Sequence, residues 1–247
     1  MTSRIAYAAQ FVRTSLREWR SECRVTMSES QIKSLSLEGP AGRLEALLNV
    51  GSGTATHAGL VCHPHPQFGG TLHNKVVFHA AKALHGFGWP VLRFNFRGTG
   101  LSEGEHDNGQ GEVEDVRTGL DWLAREFNLP LVFCGFSFGA AVGLRAAAGD
   151  ERVVGLIGLG TPVTPVDDRA YDLGFLQTCT KPKLFCSGDR DQFGPRGKLE
   201  AFVAGLPEPK QLTLISGADH FFEGRLSEMR GVIGEWVQAK ILSEPAV

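Results

Sequence analysis

The sequence predicts an α/β fold with a mostly parallel central sheet of about eight strands and helices on both faces. Three observations carry that prediction. From residue 58 onward, short apolar runs alternate with longer stretches of helical periodicity, the pattern of parallel strands joined by helical crossovers. At 247 residues the chain can bury one large core. In Leu131-Val132-Phe133-Cys134-Gly135-Phe136-Ser137-Phe138-Gly139, a strand runs into a Gly-x-Ser-x-Gly turn and then a helix.

Residues 1–26 stand apart. Arg4, Arg13, Arg17, Arg20 and Arg24 interleave with Ile5, Ala8, Val12, Leu16 and Trp19 at helical spacing. A basic amphipathic helix docked on the domain or on a membrane surface is one reading. The favoured one is a peripheral extension, with 27–247 as a single domain. The apolar run at 5–9 is too short for a secretory signal, and Glu18 and Glu22 argue against a transit peptide.

Ile32, Leu35 and Leu37, then Leu44, Ala46 and Leu48, alternate with polar residues around a Gly/Pro turn, which predicts a half-exposed hairpin. Residues 58–62 are wholly apolar and predict a central strand. Helical periodicity covers 74–86 and stops at Gly86-Phe87-Gly88. Strands are expected at 90–94, 131–134, 153–159, 183–186 and 211–215. Helices are expected at 109–127, from the elbow to about 148, at 197–204 and at 226–241. Residues 161–180 are irregular, leaving room for only a minimal cap. Ligands of such sheets bind at the carboxyl ends of the strands, so the chemistry belongs in the loops that follow them.

Composition narrows the function. A formal net charge of −2 gives no electrostatic case for nucleic acid or an anionic membrane as partner. No apolar run reaches the roughly 18 residues of a membrane span. Five cysteines is an odd number; Cys62, Cys134 and Cys186 end predicted strands and are expected as buried free thiols. A cytoplasmic setting follows.

A serine hydroxyl needs a base, and the base needs an acid to fix its tautomer. Two loops after later strands supply them: Ser187-Gly188-Asp189-Arg190-Asp191 and Ser216-Gly217-Ala218-Asp219-His220. Ser137, Asp191 and His220 are the expected nucleophile, acid and base. Asp189, directly after Gly188, is expected to brace its turn, and Asp219 to be structural. An oxyanion needs two backbone N–H donors. Phe138, following the serine, is one. The other is expected in His63-Pro64-His65-Pro66-Gln67, where the prolines have no N–H; His65 is favoured and Gln67 held in reserve. His63-x-His65 lacks the further ligands of a metal site, His73 being the one remaining candidate, so no metal is expected. Residues 93–102 lack the Lys-Ser/Thr of a phosphate loop, so no cofactor is expected. Arg97 is expected to brace loops, and Glu112 and Asp115 to complement a helix dipole. Phe68, Leu173 and Phe175 are expected to form the substrate pocket.

Together these residues resemble the α/β-hydrolase superfamily, and within it the small bacterial carboxylesterases and dienelactone hydrolases. The matching segments are His63-Pro64-His65-Pro66 through Asn74-Lys75, and Asn95-Phe96-Arg97-Gly98-Thr99-Gly100-Leu101-Ser102-Glu103-Gly104, continued by Asp107, Gly109, Gly111 and Glu112. The resemblance covers roughly residues 30–240. It implies the α/β-hydrolase fold and places His65 at the oxyanion-donor position. Dienelactone hydrolases use cysteine where this chain has Ser137, so the resemblance does not carry over a lactone substrate. The expected function is a serine carboxylesterase acting on small esters or thioesters through an acyl-enzyme. The alternatives are a peptidase or amidase using the same triad, and a non-catalytic binding protein that keeps the fold.

Overall fold

The computed structural model describes residues 31–165 and 170–243. The 1–26 extension expected from the sequence lies outside them. The elements are β1 (Ile32–Gly39), β2 (Gly42–Asn49), β3 (Ala58–Cys62), α1 (Lys75–His85), β4 (Val91–Phe94), α2 (Gly111–Phe127), β5 (Leu131–Phe136), α3 (Phe138–Ala148), β6 (Val153–Leu159), β7 (Lys183–Gly188), α4 (Arg196–Ala204), β8 (Lys210–Ile215) and α5 (Leu226–Lys240). The sheet order is β1-β2-β4-β3-β5-β6-β7-β8. β1–β2 and β2–β4 are antiparallel, and every later pair is parallel. This is the α/β-hydrolase fold expected from the sequence, with β3 buried along its whole length near the centre.

The strand sequences explain the layers. A parallel strand covered on both faces must be apolar at consecutive positions, and alternate residues then enter opposite cores. Leu131 and Phe133 pack into the core that takes Val116 and Leu120 of α2 and Leu199 of α4. Val132, Cys134 and Phe136 enter the other, with Val77 of α1 and Ile233 and Trp236 of α5. β1 is an edge strand with mostly exposed or half-buried residues, and it alternates accordingly.

Among the boundaries that differ from expectation, two have clear local reasons. α2 starts at Gly111 rather than 109, because Gly109 has φ +92°, outside the helical region. β5 runs two residues beyond Cys134, because the ladder with β6 continues through Gly135↔Gly158 and Phe136↔Leu159. The serine therefore follows the last paired residue directly.

Cys62, Cys134, Cys179 and Cys186 are buried and unpaired. Burial pushes the thiols of Cys62 and Cys134 well up and that of Cys186 to about 12, which keeps them protonated and unreactive. Among the described residues no helix is long and apolar enough to cross a membrane.

Candidate active site

Between β5 and α3 the chain reverses in one residue. Ser137 has φ 55° and ψ −118°, a conformation that costs a non-glycine residue about 1–3 kcal/mol. The fold holds it there. Ser137 N–H donates to Leu159 O at 2.9 Å, and Ser137 O accepts from the N–H groups of Ala140 and Ala141. The flanking glycines are required by close approach. A Cβ on Gly135 would lie 2.3 Å from Gly139 O, and one on Gly139 would lie 2.4 Å from His63 O.

His220 Nε2 is 2.9 Å from Ser137 Oγ, and His220 Nδ1 is 2.9 Å from Asp191 Oδ2. Both histidine and carboxylate are buried, and Asp191 can only accept. Nδ1 therefore carries the proton, and Nε2 is left as acceptor for the serine hydroxyl. Asp191 takes three further hydrogen bonds: from Ser187 Oγ at 2.8 Å, Phe193 N–H at 2.8 Å and Gly194 N–H at 3.2 Å. Burial raises its pKa, but the bonds from His220, Ser187 and Phe193 outweigh that and hold the carboxyl below its ordinary value. The imidazole is packed among the rings of Phe193 (4.6 Å), Phe136 (5.0 Å) and Phe221 (5.2 Å). An imidazole so fixed can take a proton from a serine hydroxyl.

Asp189 lies in the same loop but does other work. Its Oδ1 accepts from Gly217 N–H at 2.7 Å, tying the loop after β7 to the loop after β8. Asp219 Oδ1 accepts from the N–H groups of Phe221 and Glu223, shaping the turn beyond His220.

The loop after β3 faces the serine from the other side. His63 is fully buried and both its nitrogens are engaged: Phe96 N–H donates to Nε2 at 3.0 Å, and Nδ1–H donates to Pro64 O at 2.7 Å. Burial pushes its pKa down to about 4, so it is neutral. The peptide joining Pro64 to His65 is planar, so fixing its carbonyl also fixes the direction of His65 N–H. Gly70 packs against the same peptide, where a Cβ would lie 2.1 Å from Pro64 O. Gln67 N–H is committed to His65 Nδ1 at 3.3 Å, which removes it as the reserve donor. Further along, Asn95 Oδ1 accepts from Leu72 N–H and Arg93 Nη1 donates to Leu72 O, holding the peptides on both sides of Leu72. Phe138 is the first residue of α3, where N–H groups have no partner within the helix.

Arg97 braces the neighbouring loop through a bidentate pair with Asp115, Nη2 donating to Oδ1 and Nε to Oδ2. Asp115 and Glu112 are fully buried, so they bind loop groups rather than only complementing a dipole. Glu112 accepts from the N–H groups of Asp107 and Gly109. Its Oε1 also lies 2.7 Å from His106 Nδ1, without the alignment of a hydrogen bond. Among the described residues no His/Cys/Asp/Glu group is arranged to hold a metal ion.

A cavity of about 230 Å³ opens beside Ser137, walled by His65, Phe68, Phe138, Tyr171, Phe193 and Phe221. Phe68 is there, as expected. Leu173 and Phe175 are not, and this corrects the sequence reading. Leu173, at the start of the 3₁₀ turn Gly174–Thr178, is buried in the core, and Phe175, within the turn, packs against that core. Tyr171 takes their place. Ser187, Tyr171, Phe193 and Phe221 were missed. Ser187 could have been flagged as a hydroxyl four residues before the acid; the other three carry no motif.

A family model for the alpha/beta hydrolase domain matches residues 68–239. The chain belongs to the α/β-hydrolase family. An alpha-beta serine hydrolase homologue from Coxiella burnetii is 38% identical, covers 82% of this chain and 96% of its own, and superposes with a TM-score of 0.75. An α/β serine hydrolase without lid from Xanthomonas campestris is 32% identical, covers 87% and 98%, and has a TM-score of 0.76. An uncharacterized protein of Rickettsia prowazekii is 34% identical over 81% of this chain and 86% of its own.

Proposed function

We propose that this chain is a serine esterase that hydrolyses small carboxylic esters or thioesters. The observation that carries the reading is the unbroken hydrogen-bond chain from Ser137 through His220 to Asp191, ending at a pocket. The serine hydrolase homologues at 32–38% identity support the same class.

In this reading Ser137 Oγ attacks the ester carbonyl carbon as His220 Nε2 takes its proton. The carbonyl oxygen becomes an oxyanion, which accepts from the backbone N–H groups of Phe138 and His65. His220 returns the proton to the leaving alkoxide or thiolate, and an acyl-Ser137 ester remains. Water then attacks that ester with His220 again as base, releasing the acid and the serine. Asp191 stays ionised and holds His220 in the required tautomer. Among the described residues between β6 and β7, only Tyr171 lines the cavity beside Ser137, which favours acetyl to butyryl groups.

Hydrolysis of p-nitrophenyl acetate and butyrate tests this. The wild type is expected to turn both over, and Ser137→Ala to lose on the order of 10⁶ of that rate, as removal of a triad serine does elsewhere. Near-wild-type turnover in Ser137→Ala would end the reading.

A further inference from the structure

We propose that Tyr171 sets the length of acyl group the site accepts, an inference that rests on the esterase reading above. Tyr171 borders two cavities at once. One is the 230 Å³ space beside Ser137. The other, of about 260 Å³, is bordered by Val163, Leu173, Gln177, Lys198 and Phe202. The Tyr171 ring meets the Phe138 ring edge-on at 6.0 Å, and Phe138 is the residue after the nucleophile. A second shared wall lies nearby. Val163 N–H and Thr164 Oγ1 both donate to Phe193 O, so the strip bordering the far cavity is tied to a residue that walls the near one.

The two spaces are thus neighbours with an aromatic residue at their boundary. An acyl chain growing from Ser137 toward Tyr171 stops there. Without the ring it would continue between Val163, Leu173 and Phe202, which are apolar. Lys198 and Gln177 supply the polar border of that space. In this reading the accepted chains are short, and the Tyr171 side chain sets the limit.

The test is the ratio of kcat/KM for octanoyl over acetyl p-nitrophenyl esters, taken within each protein so that overall losses cancel. Each methylene newly buried is worth roughly fourfold. Tyr171→Ala is expected to raise the ratio by at least about tenfold over wild type, and Tyr171→Leu by less. Adding Gln177→Trp to Tyr171→Ala should narrow the far cavity and reverse much of the rise. An unchanged ratio in Tyr171→Ala, with wild type active on acetyl esters, overturns the inference and leaves the esterase reading standing. If Tyr171→Ala fails to fold, an unchanged ratio in Tyr171→Leu overturns it equally. A rise that survives Gln177→Trp shows the chain leaving by another route and overturns the far cavity as its path. A wild type with no activity on any ester removes the esterase reading, and this inference with it.

Discussion

Around Asp191 and His220, direction comes from hydrogen bonds. Four donors surround one carboxylate, and each nitrogen of the imidazole has one partner. Across Ser137, the pocket side is built mostly by packing. His65, Phe68 and Phe138 meet ring against ring at 4.8–4.9 Å, and Tyr171 closes the wall. Hydrogen bonding enters on that side through buried His63, which holds Pro64 O. The contrast teaches where sensitivity lies. A polar contact at the acid–base side has one acceptable geometry, whereas an aromatic wall tolerates a change of ring and answers by changing what fits.

The acid–base side should be the easier to break. Asp191→Asn is expected to cost about 10⁴ in turnover, the size of effect seen when a triad acid can no longer fix the tautomer. Asp189→Asn should cost less than about tenfold, because Asp189 bonds a backbone N–H and not His220. Steady-state kinetics on p-nitrophenyl butyrate separates them, and reversed effects would mean the wrong acid has been assigned.

His63 sharpens the comparison because its two bonds serve different ends. His63→Gln can reach Phe96 N–H but not Pro64 O, and is expected to lower kcat by about 10–100-fold with little change in KM, since oxyanion donors act on kcat. His63→Asn keeps an N–H near Pro64 O and should hold kcat within about tenfold. It should melt at lower temperature, because a buried Phe96 N–H left unpaired costs about 1–3 kcal/mol. Equal kcat in the two variants would detach Pro64 from the oxyanion role.

The same residue gives a pH signature. In the fold His63 takes its proton only near pH 4, whereas in the unfolded chain it does so near 6.5. Between those values the unfolded state binds more protons, so this contribution is intact above pH 6.5 and lost as pH falls toward 4. The loss is on the order of 3 kcal/mol, and His63→Asn should remove that part of the slope from a denaturation series. An unchanged slope would mean that His63 titrates alike in both states.

The acid–base side is also the part most legible in the sequence. Ser137, Asp191 and His220 each sit in a loop directly after an apolar run, in the chain order of the superfamily, and the spacing of Asp189 and Asp191 assigned their separate tasks. The strands and helices were legible for a related reason: buried parallel strands must be apolar throughout. Tyr171 was not legible, because an irregular segment has no period to show which side chains face inward. Leu173 and Phe175 misled for the same reason: their apolarity fitted a pocket wall as well as a core, and at the 3₁₀ turn both pack on the core. Ser187 escaped notice because its contact with Asp191 exists only once the loop has closed.

The central claim is that Ser137 is a nucleophile activated by His220. Labelling with a fluorophosphonate, followed by peptide mass spectrometry, addresses it most directly. The account predicts one covalent adduct per chain, on the peptide containing Ser137. It predicts no adduct in Ser137→Ala, and labelling slowed at least about 10³-fold in His220→Ala. An adduct on another residue, or equal rates in wild type and His220→Ala, would contradict it.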